Sequence, residues 1–203
     1  WAEFDVTTAE LQVEAVTKLL SNKTKFVAVT GAANTLGTRP DISAIAKEVK
    51  GAGALFLVHA VHLTPHAVID FKAIGADFIG FSSYKIFGPH CGTLVAAPEL
   101  LEQIKNDKLA PSTSVVPERF EFGTLPYEIM AGVTASIDFI AGMDSEATGT
   151  RRERIVKSMQ ALESYEHPLF GYMEEAVKSL PGVKTYGHAK LRTPTLYFTF
   201  EGR

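Results

Sequence analysis

The first hundred residues alternate between short apolar runs and amphipathic segments. Apolar runs of four to six residues predict buried strands at 25–30, 54–58, 77–81 and 93–96. Apolar side chains recur at helical spacing over residues 10–20 and 40–50, whereas 71–75 predict only a short connector. Strands that alternate with helices predict an α/β fold, built as a three-layer, mainly parallel sheet covered on both faces.

The pattern changes after Pro98, where longer helices are predicted. Residues 99–106, 126–143 and 151–180 predict helices, of which the second is apolar enough to be buried and the third is expected to be interrupted or bent at Pro168. Residues 108–117 predict a loop, 119–124 an extended segment, and 183–186 and 195–200 two more strands. We therefore expect two domains, residues 1–147, then residues 148–203 as a linking helix and the start of a smaller α+β unit.

Composition narrows the class of protein. The 203 residues are 46% hydrophobic, enough for a sizeable core, and the net charge of −3 argues against a broad nucleic-acid interface. No apolar run reaches about 18 residues, so we predict no membrane span. The single cysteine, Cys91, excludes an internal disulfide framework and is typical of a protein in the reducing cytoplasm. The chain begins at Trp1 without a signal peptide, and both ends are expected to be cuts through a larger protein.

Polar side chains follow three of the predicted strands. Asn34 lies in the loop after the first strand, His59 and His62 follow the second, and the third leads into the segment 82–85. Ligands of open α/β sheets bind beyond the carboxyl ends of the strands. Since all three clusters should meet at that edge, the sequence predicts a ligand site there.

Lys85 is the strongest candidate for chemistry at this edge. It follows an apolar run and two serines and precedes Gly88-Pro89, which predicts a turn. A desolvated lysine loses its proton easily and can form a Schiff base with a carbonyl, and nearby hydroxyls could hold a phosphate. The alternative is a lysine that has left the strand and simply reaches water.

The loop at 30–37, TGAANTLG, is similar to the cofactor loop of short-chain dehydrogenases. Thr35 stands where that pattern has its middle glycine, and the next strand ends in His59 rather than in an acid for the ribose. Tyr186 and Lys190 have the spacing of that family's catalytic pair but follow a predicted turn rather than lying on a helix. A nicotinamide-dependent oxidoreductase is therefore the less favoured alternative.

Five possible metal ligands fall within a short stretch of the chain. Their spacing matches no common zinc motif, and Pro65 makes a helical ligand face unfavourable. We therefore predict no metal site from His59, His62, His66, His90 and Cys91.

Taken together, the motifs resemble the cysteine desulfurase-like family of class V aminotransferases, which are fold type I pyridoxal-phosphate enzymes. The resemblance is carried by five pieces in the family's order and approximate spacing, and it covers nearly the whole chain. These pieces are VTGAANTLGT at 29–38, VHLTPH at 61–66, GADF at 75–78, SSYKIFGPH at 82–90 and RFEFGT at 119–124.

The resemblance implies catalytic roles for two residues. Lys85 would hold the aldehyde of pyridoxal 5'-phosphate, exchange it for an amino-acid substrate to form an aldimine, and then move the α-proton. His62 would lie beside the cofactor ring and contact its phenolic oxygen. Residues 1–147 would be part of the cofactor-binding large domain, and 148–203 the beginning of a truncated small domain.

The resemblance also implies further contacts to the cofactor and substrate. Ser82 would bind the phosphate, while Tyr84 stands where many relatives have a phosphate-binding histidine. Asn34 would lie near the phenolic oxygen. Thr124 would reach the phosphate of a neighbouring subunit, because family members are homodimers with shared active sites. Arg192 would begin the small domain's substrate-facing strand.

The sequence departs from the family at three places. His59 occupies the position of an aspartate that keeps the pyridine nitrogen protonated, so that the ring can act as an electron sink. About the first half of a family member is absent, as is the C-terminal segment with the substrate-carboxylate arginine and the desulfurase cysteine, which Cys91 does not match. We therefore expect part of a pyridoxal-phosphate enzyme, with a non-catalytic relative that binds a partner as the alternative.

Overall fold

The computed structural model describes residues 1–202 and shows a four-stranded sheet in the order β1-β2-β3-β4. β1 and β2 are parallel, as are β2 and β3, whereas β4 runs antiparallel to β3. The strands are β1 Phe26–Thr30, β2 Leu55–His59, β3 Phe78–Ser82 and β4 Gly92–Ala96. The predicted α/β class with a mainly parallel sheet is confirmed.

The helices and a second small sheet complete the described chain. The second sheet pairs β5 Val183–Tyr186 with β6 Tyr197–Phe200 in antiparallel fashion. Single turns of 3₁₀-helix cover Ser83–Ile86 and Glu118–Phe120, so that the segment predicted to be extended at 119–124 is only partly so. The α-helices are α1 Val13–Thr17, α2 Ile42–Gly51, α3 Phe71–Ile74, α4 Pro98–Gln103, α5 Tyr127–Ala141 and α6 Arg151–Lys178. Within residues 1–202, no helix combines the length and apolar character needed to cross a membrane.

The main core lies between α2 and one face of the sheet. Ile45 and Val49 of α2 are fully buried, as are Phe56 and Val58 of β2. Asp41 caps α2 by accepting a hydrogen bond from the amide of Ala44. Burial of each such side chain stabilises the fold by about 1.5–3 kcal/mol. The apolar side chains that recur at helical spacing on α2 therefore pack against the inward-facing side chains of β2 in one apolar layer.

The opposite face of the sheet is open. Phe26 and Leu94 point to this face and are 50% and 64% exposed, and Thr30 and His59 on the same face are exposed as well. Phe78 is buried there partly because the Phe26 ring packs against it, with 6.1 Å between centroids. Within residues 1–202 the helical cover expected on both faces is therefore present on one.

The apolar helix α5 is less buried than the sequence predicted. Only three of its residues are buried, whereas Tyr127 is 64% exposed and Phe139 56% exposed. The expectation of a buried helix was wrong because the apolar residues of α5 surround it on all sides, and only its inner side contacts the turn at 83–86 and α6. The buried residues are Ser136, Ile140 and Ala141.

The long helix α6 continues through the position where a break was expected. Thr150 and Glu153 form a reciprocal capping box at its start, and Pro168 lies inside the helix. Proline removes one backbone donor, which leaves the carbonyl of Ser164 without its helical partner. Both residues are exposed, so water can bind that carbonyl. The predicted interruption at Pro168 is therefore not observed.

Candidate functional site

The carboxyl ends of the three parallel strands meet at one edge of the sheet. Thr30, His59 and Gly80 occupy matching register positions on β1, β2 and β3. The His59 side chain is exposed on the open face, next to the glycine of β3. A Cβ added at Gly80 would meet only Leu94, at 4.0 Å, so the sheet leaves room beside the imidazole. This edge is where the sequence predicted the ligand site.

Lys85 lies on a turn that is held in place by hydrogen bonds of the buried residue Ser83. Ser83 is fully buried and donates its hydroxyl to the carbonyl of Pro89, while Gly88 returns its amide to the carbonyl of Ser83 at 2.9 Å. A Cβ at Gly88 would lie 2.9 Å from that same carbonyl, so this position requires glycine. Ser83 was not predicted as a site residue; its place between the strand and the Gly-Pro turn was the available signal.

Lys85 itself is exposed, as in the alternative that the sequence left open, and it is not the desolvated lysine of a buried strand. It belongs to the 3₁₀ turn after β3 rather than to the buried strand, and only its neighbours Ser83 and Ile86 face inward. Desolvation of its amine is therefore not provided by the residues described. Its Nζ lies 5.5 Å from the centroid of the Tyr84 ring, and that ring stacks on His90 with centroids 4.9 Å apart. Tyr84 thus forms one side of the space around the lysine.

His62 lies half-buried beside this lysine. Its Nε2 is 2.8 Å from the hydroxyl of Thr195, and its ring is 5.3 Å from that of His66, edge to face. Burial lowers the pKa of His62, and the charges of His66 and Lys85 lower it further. His66 in turn pairs with Glu166, Nδ1 to Oε2, at 3.0 Å. The arrangement favours a neutral imidazole at position 62.

Gly37 joins the loop after β1 to the segment before β6. Its φ is +73°, and an added Cβ would lie 2.7 Å from the carbonyl oxygen of Thr193. Thr38 and Arg192 form an antiparallel bridge at this point, and Thr193 donates its amide to the carbonyl of Gly37 at 2.8 Å. The glycine at the end of the TGAANTLG loop is thus required by the neighbouring segment before β6. Asn34, within that loop, is exposed.

Arg192 is held by partners within the chain. Its guanidinium donates to Glu174 at 2.6 Å and to the carbonyl of Gly187 at 2.8 Å, and it stacks over Phe170 at 4.6 Å. Burial by itself would raise the pKa of Glu174, but the hydrogen bond and charge of Arg192, with Lys178, bring that pKa below its ordinary range. Glu174 was missed by sequence reasoning, because the polar sequence of α6 does not show which of its faces lies inward.

Ser82 and Thr124, two of the predicted phosphate contacts, lie in different settings. Ser82 is half-buried at the end of β3, opposite Gly92 of β4. Thr124 is exposed in the segment that precedes α5. The structure thus brings Ser82 to the strand edge with His59, and the role of Thr124 at a subunit boundary stays a prediction. Among the described residues, no group of three or more histidine, cysteine or acidic side chains is placed to hold a metal ion.

Comparison with known proteins identifies the family. The family model described as Aminotransferase class-V matches residues 4–203. An uncharacterised protein of Mycobacterium tuberculosis is 33% identical over 199 residues, which cover 98% of this chain and 50% of that protein. An aminotransferase-like protein of Gibberella zeae is 31% identical over 209 residues, covering 100% of this chain and 49% of that protein.

Cysteine desulfurases are also among the similar proteins. One from Yersinia pestis is 28% identical over 193 residues, which cover 89% of this chain and 44% of that enzyme. The apo structure of a cysteine desulfurase from Thermococcus onnurineus superposes with a TM-score of 0.80 at 26% identity, over 100% of this chain and 50% of that one. The chain spans about half the length of the curated relatives it matches. It belongs to the aminotransferase class-V family.

Proposed function

We propose that this chain is part of a pyridoxal-phosphate-dependent enzyme of the cysteine desulfurase type, with Lys85 as the residue that carries the cofactor. One observation carries the proposal. An exposed lysine amine stands on a fastened turn beside a half-buried imidazole, at the edge where three parallel strands end. Membership of the class-V family supports the same assignment.

The side chains at this edge suit such a cofactor in most respects. The lysine amine can react with an aldehyde, and hydroxyl groups such as that of Ser82 can donate to a phosphate. The open space beside Gly80 leaves one side of the sheet edge accessible to a flat ring. Asn34, exposed in the loop after β1, adds an amide donor near the same edge. When bound, pyridoxal phosphate supplies an aldehyde for amines and a ring that accepts electron density from the substrate's α-carbon.

Each proposed residue then has a definite task. The Nζ of Lys85 takes the α-proton of the amino acid and returns it, which requires the amine to be free and uncharged at that moment. His62 orients the ring at the phenolic oxygen, and Ser82 and Tyr84 contact the phosphate. Thr124 serves the second subunit of a homodimer with shared sites. For Arg192, whose guanidinium is engaged by Glu174, a direct contact with substrate requires that this ion pair open.

His59 is the observation that favours a second candidate. An imidazole at the pyridine nitrogen supplies a hydrogen bond but no negative charge, so it stabilises the protonated ring less than a carboxylate does. A relative that binds the cofactor or a partner without turnover is therefore the alternative. The small amino-acid substrate belongs to the first candidate alone, whereas the homodimer and the cytoplasmic setting are proposed for both.

Covalent labelling tests the assignment of Lys85. The chain is incubated with a substoichiometric amount of pyridoxal phosphate, reduced with borohydride and digested, and the labelled peptide is located by mass spectrometry. We expect the label on the peptide with Lys85, lost in Lys85→Ala and retained in Lys50→Ala, which removes another exposed lysine. Label spread over many surface lysines and unchanged in Lys85→Ala refutes the assignment. Specific label without α-hydrogen exchange of amino acids favours the non-catalytic alternative.

A further inference from the structure

Three hydrogen bonds connect His62 to a backbone carbonyl on a distant loop. His62 Nε2 lies 2.8 Å from the hydroxyl of Thr195. That hydroxyl lies 3.0 Å from the hydroxyl of Thr193, which is 3.4 Å from the carbonyl oxygen of Gly37. The result is a relay that runs from the imidazole through two hydroxyls to one carbonyl.

The chemistry of the end group fixes the direction of this relay. A carbonyl oxygen can only accept, and each hydroxyl has a single hydrogen to donate. If Thr193 donates to Gly37, its oxygen must accept from Thr195. Thr195 has then used its hydrogen and must accept from His62. All three bonds form together only when the proton of the neutral ring is on Nε2.

We infer that Thr195 is a positioning residue that holds His62 in its Nε2–H tautomer and leaves Nδ1 as the unprotonated nitrogen. Its relevance to catalysis rests on the proposed function, whereas the tautomer itself does not. In this state the free nitrogen of His62 is an acceptor. The ligand group that binds it is therefore a donor, such as a hydroxyl or an ammonium.

The backbone around the relay is well fixed. The amide of Thr193 donates to Gly37 at 2.8 Å, and the amide of Thr195 to the carbonyl of Thr193 at 2.7 Å. The ion pair of Arg192 with Glu174 holds the same segment to α6. Thr193 is 1% exposed, so water has little access to the middle of the relay.

The charged neighbours of His62 are compatible with a neutral ring. His66 and Lys85 face it, and both carry positive charge when protonated, which disfavours a second proton on His62. The carboxylate of Glu166 is bonded to His66 Nδ1 and not to His62. At a pH above the ordinary histidine pKa the ring of His62 is therefore neutral. The experiment then has to determine which of its two nitrogens carries the proton.

Nitrogen NMR of the cofactor-free chain tests the inference. Histidine is labelled with ¹⁵N, and long-range ¹H–¹⁵N correlations are recorded near pH 8, with His62→Asn identifying the signals. We expect Nε2 of His62 to be protonated and Nδ1 to be bare. In Thr193→Val the hydroxyl of Thr195 is free to donate to Nε2, so the proton should shift toward Nδ1.

Two further variants act as controls. Thr195→Ser retains a hydroxyl and should retain the wild-type tautomer, whereas Thr195→Val should move the ring toward the tautomer mixture of a solvated imidazole. If Thr193→Val does not fold, as judged by its amide spectrum, Thr193→Ala removes the same hydroxyl. A wild-type ring protonated on Nδ1 overturns the inference, as does a tautomer that is unchanged when either hydroxyl is removed. The NMR experiment is done without cofactor. A result that overturns the tautomer inference is therefore distinguishable from a failure of pyridoxal phosphate to label Lys85.

Discussion

Replacement of Gly37 by alanine provides the sharpest test of the contact between the two parts of the chain. The residue has a φ of +73°, and its new Cβ would lie 2.7 Å from the carbonyl oxygen of Thr193 and 3.0 Å from the Cβ of Thr195. The mutation therefore adds backbone strain and displaces the segment that contacts His62.

The structure allows the two costs to be separated. A left-handed conformation costs alanine about 1–2 kcal/mol relative to glycine. Overpacking of a tight contact costs about 1–3 kcal/mol. Part of that cost is the hydrogen bond between the amide of Thr193 and Gly37, worth about 1 kcal/mol. We expect a total loss of about 3 kcal/mol in the free energy of unfolding.

Gly53→Ala is the matched control. Gly53 has a φ of +72°, but an added Cβ would find nothing within 4 Å, so this variant reports the strain alone. Any gain from a stiffer unfolded chain is shared by both variants. The two should differ by about 2 kcal/mol, or about 1 M in urea midpoint at a typical slope for this size.

Equilibrium urea denaturation followed by circular dichroism measures both variants. Trp1 is fully exposed, so its fluorescence is a poor reporter of folding. Equal losses for Gly37→Ala and Gly53→Ala would refute the close approach of the segment at 193–195.

Two further predictions concern titratable groups. Glu174→Gln should destabilise the chain by about 2 kcal/mol at pH 7, because a charged hydrogen bond to Arg192 is lost. The pKa of Glu174 is lowered on folding from its ordinary value of 4.5, so its contribution begins to be lost as the pH falls below 4.5. The urea midpoints of wild type and variant should therefore approach each other at lower pH, and a gap that stays constant contradicts the ion pair. The lowered pKa of His62 means that the unfolded chain binds more protons below about 6.5, so stability should fall between pH 7 and 5. His62→Asn should flatten that slope and His188→Asn, at an exposed loop position, should not; equal slopes in all three proteins contradict it.

Local pattern was sufficient to predict the strands of the sheet and the edge at which polar side chains follow them. The alternation in β2, with Phe56 and Val58 buried and His59 exposed, follows from a period of two residues, and the same logic places the polar clusters after the strands. The edge of an α/β sheet is a general place for ligands, so Lys85 could be named as a candidate from the sequence.

The environment of each site residue depended on contacts that are distant in sequence. Thr195 lies 133 residues after His62, and no periodicity connects them. Arg192 was assigned to substrate by resemblance, and its partner Glu174 could not be predicted because the sequence does not specify the inner face of α6. The sequence left open whether Lys85 is buried or reaches water, because one turn of 3₁₀-helix is enough to move a side chain from the strand to the surface.

The bridge between Thr38 and Arg192 also has a consequence for synthesis. Gly37 meets Thr193, which is 156 residues later. A ribosome that adds about 5–20 residues per second needs roughly 8–30 s to cover that interval. The strands from Phe26 to Ala96 can pair during this time, because their partners emerge early. The carbonyl of Gly37 has no partner from Thr193 until then and is left to water. His62 therefore acquires its hydroxyl neighbour only when nearly the whole of this chain has left the ribosome.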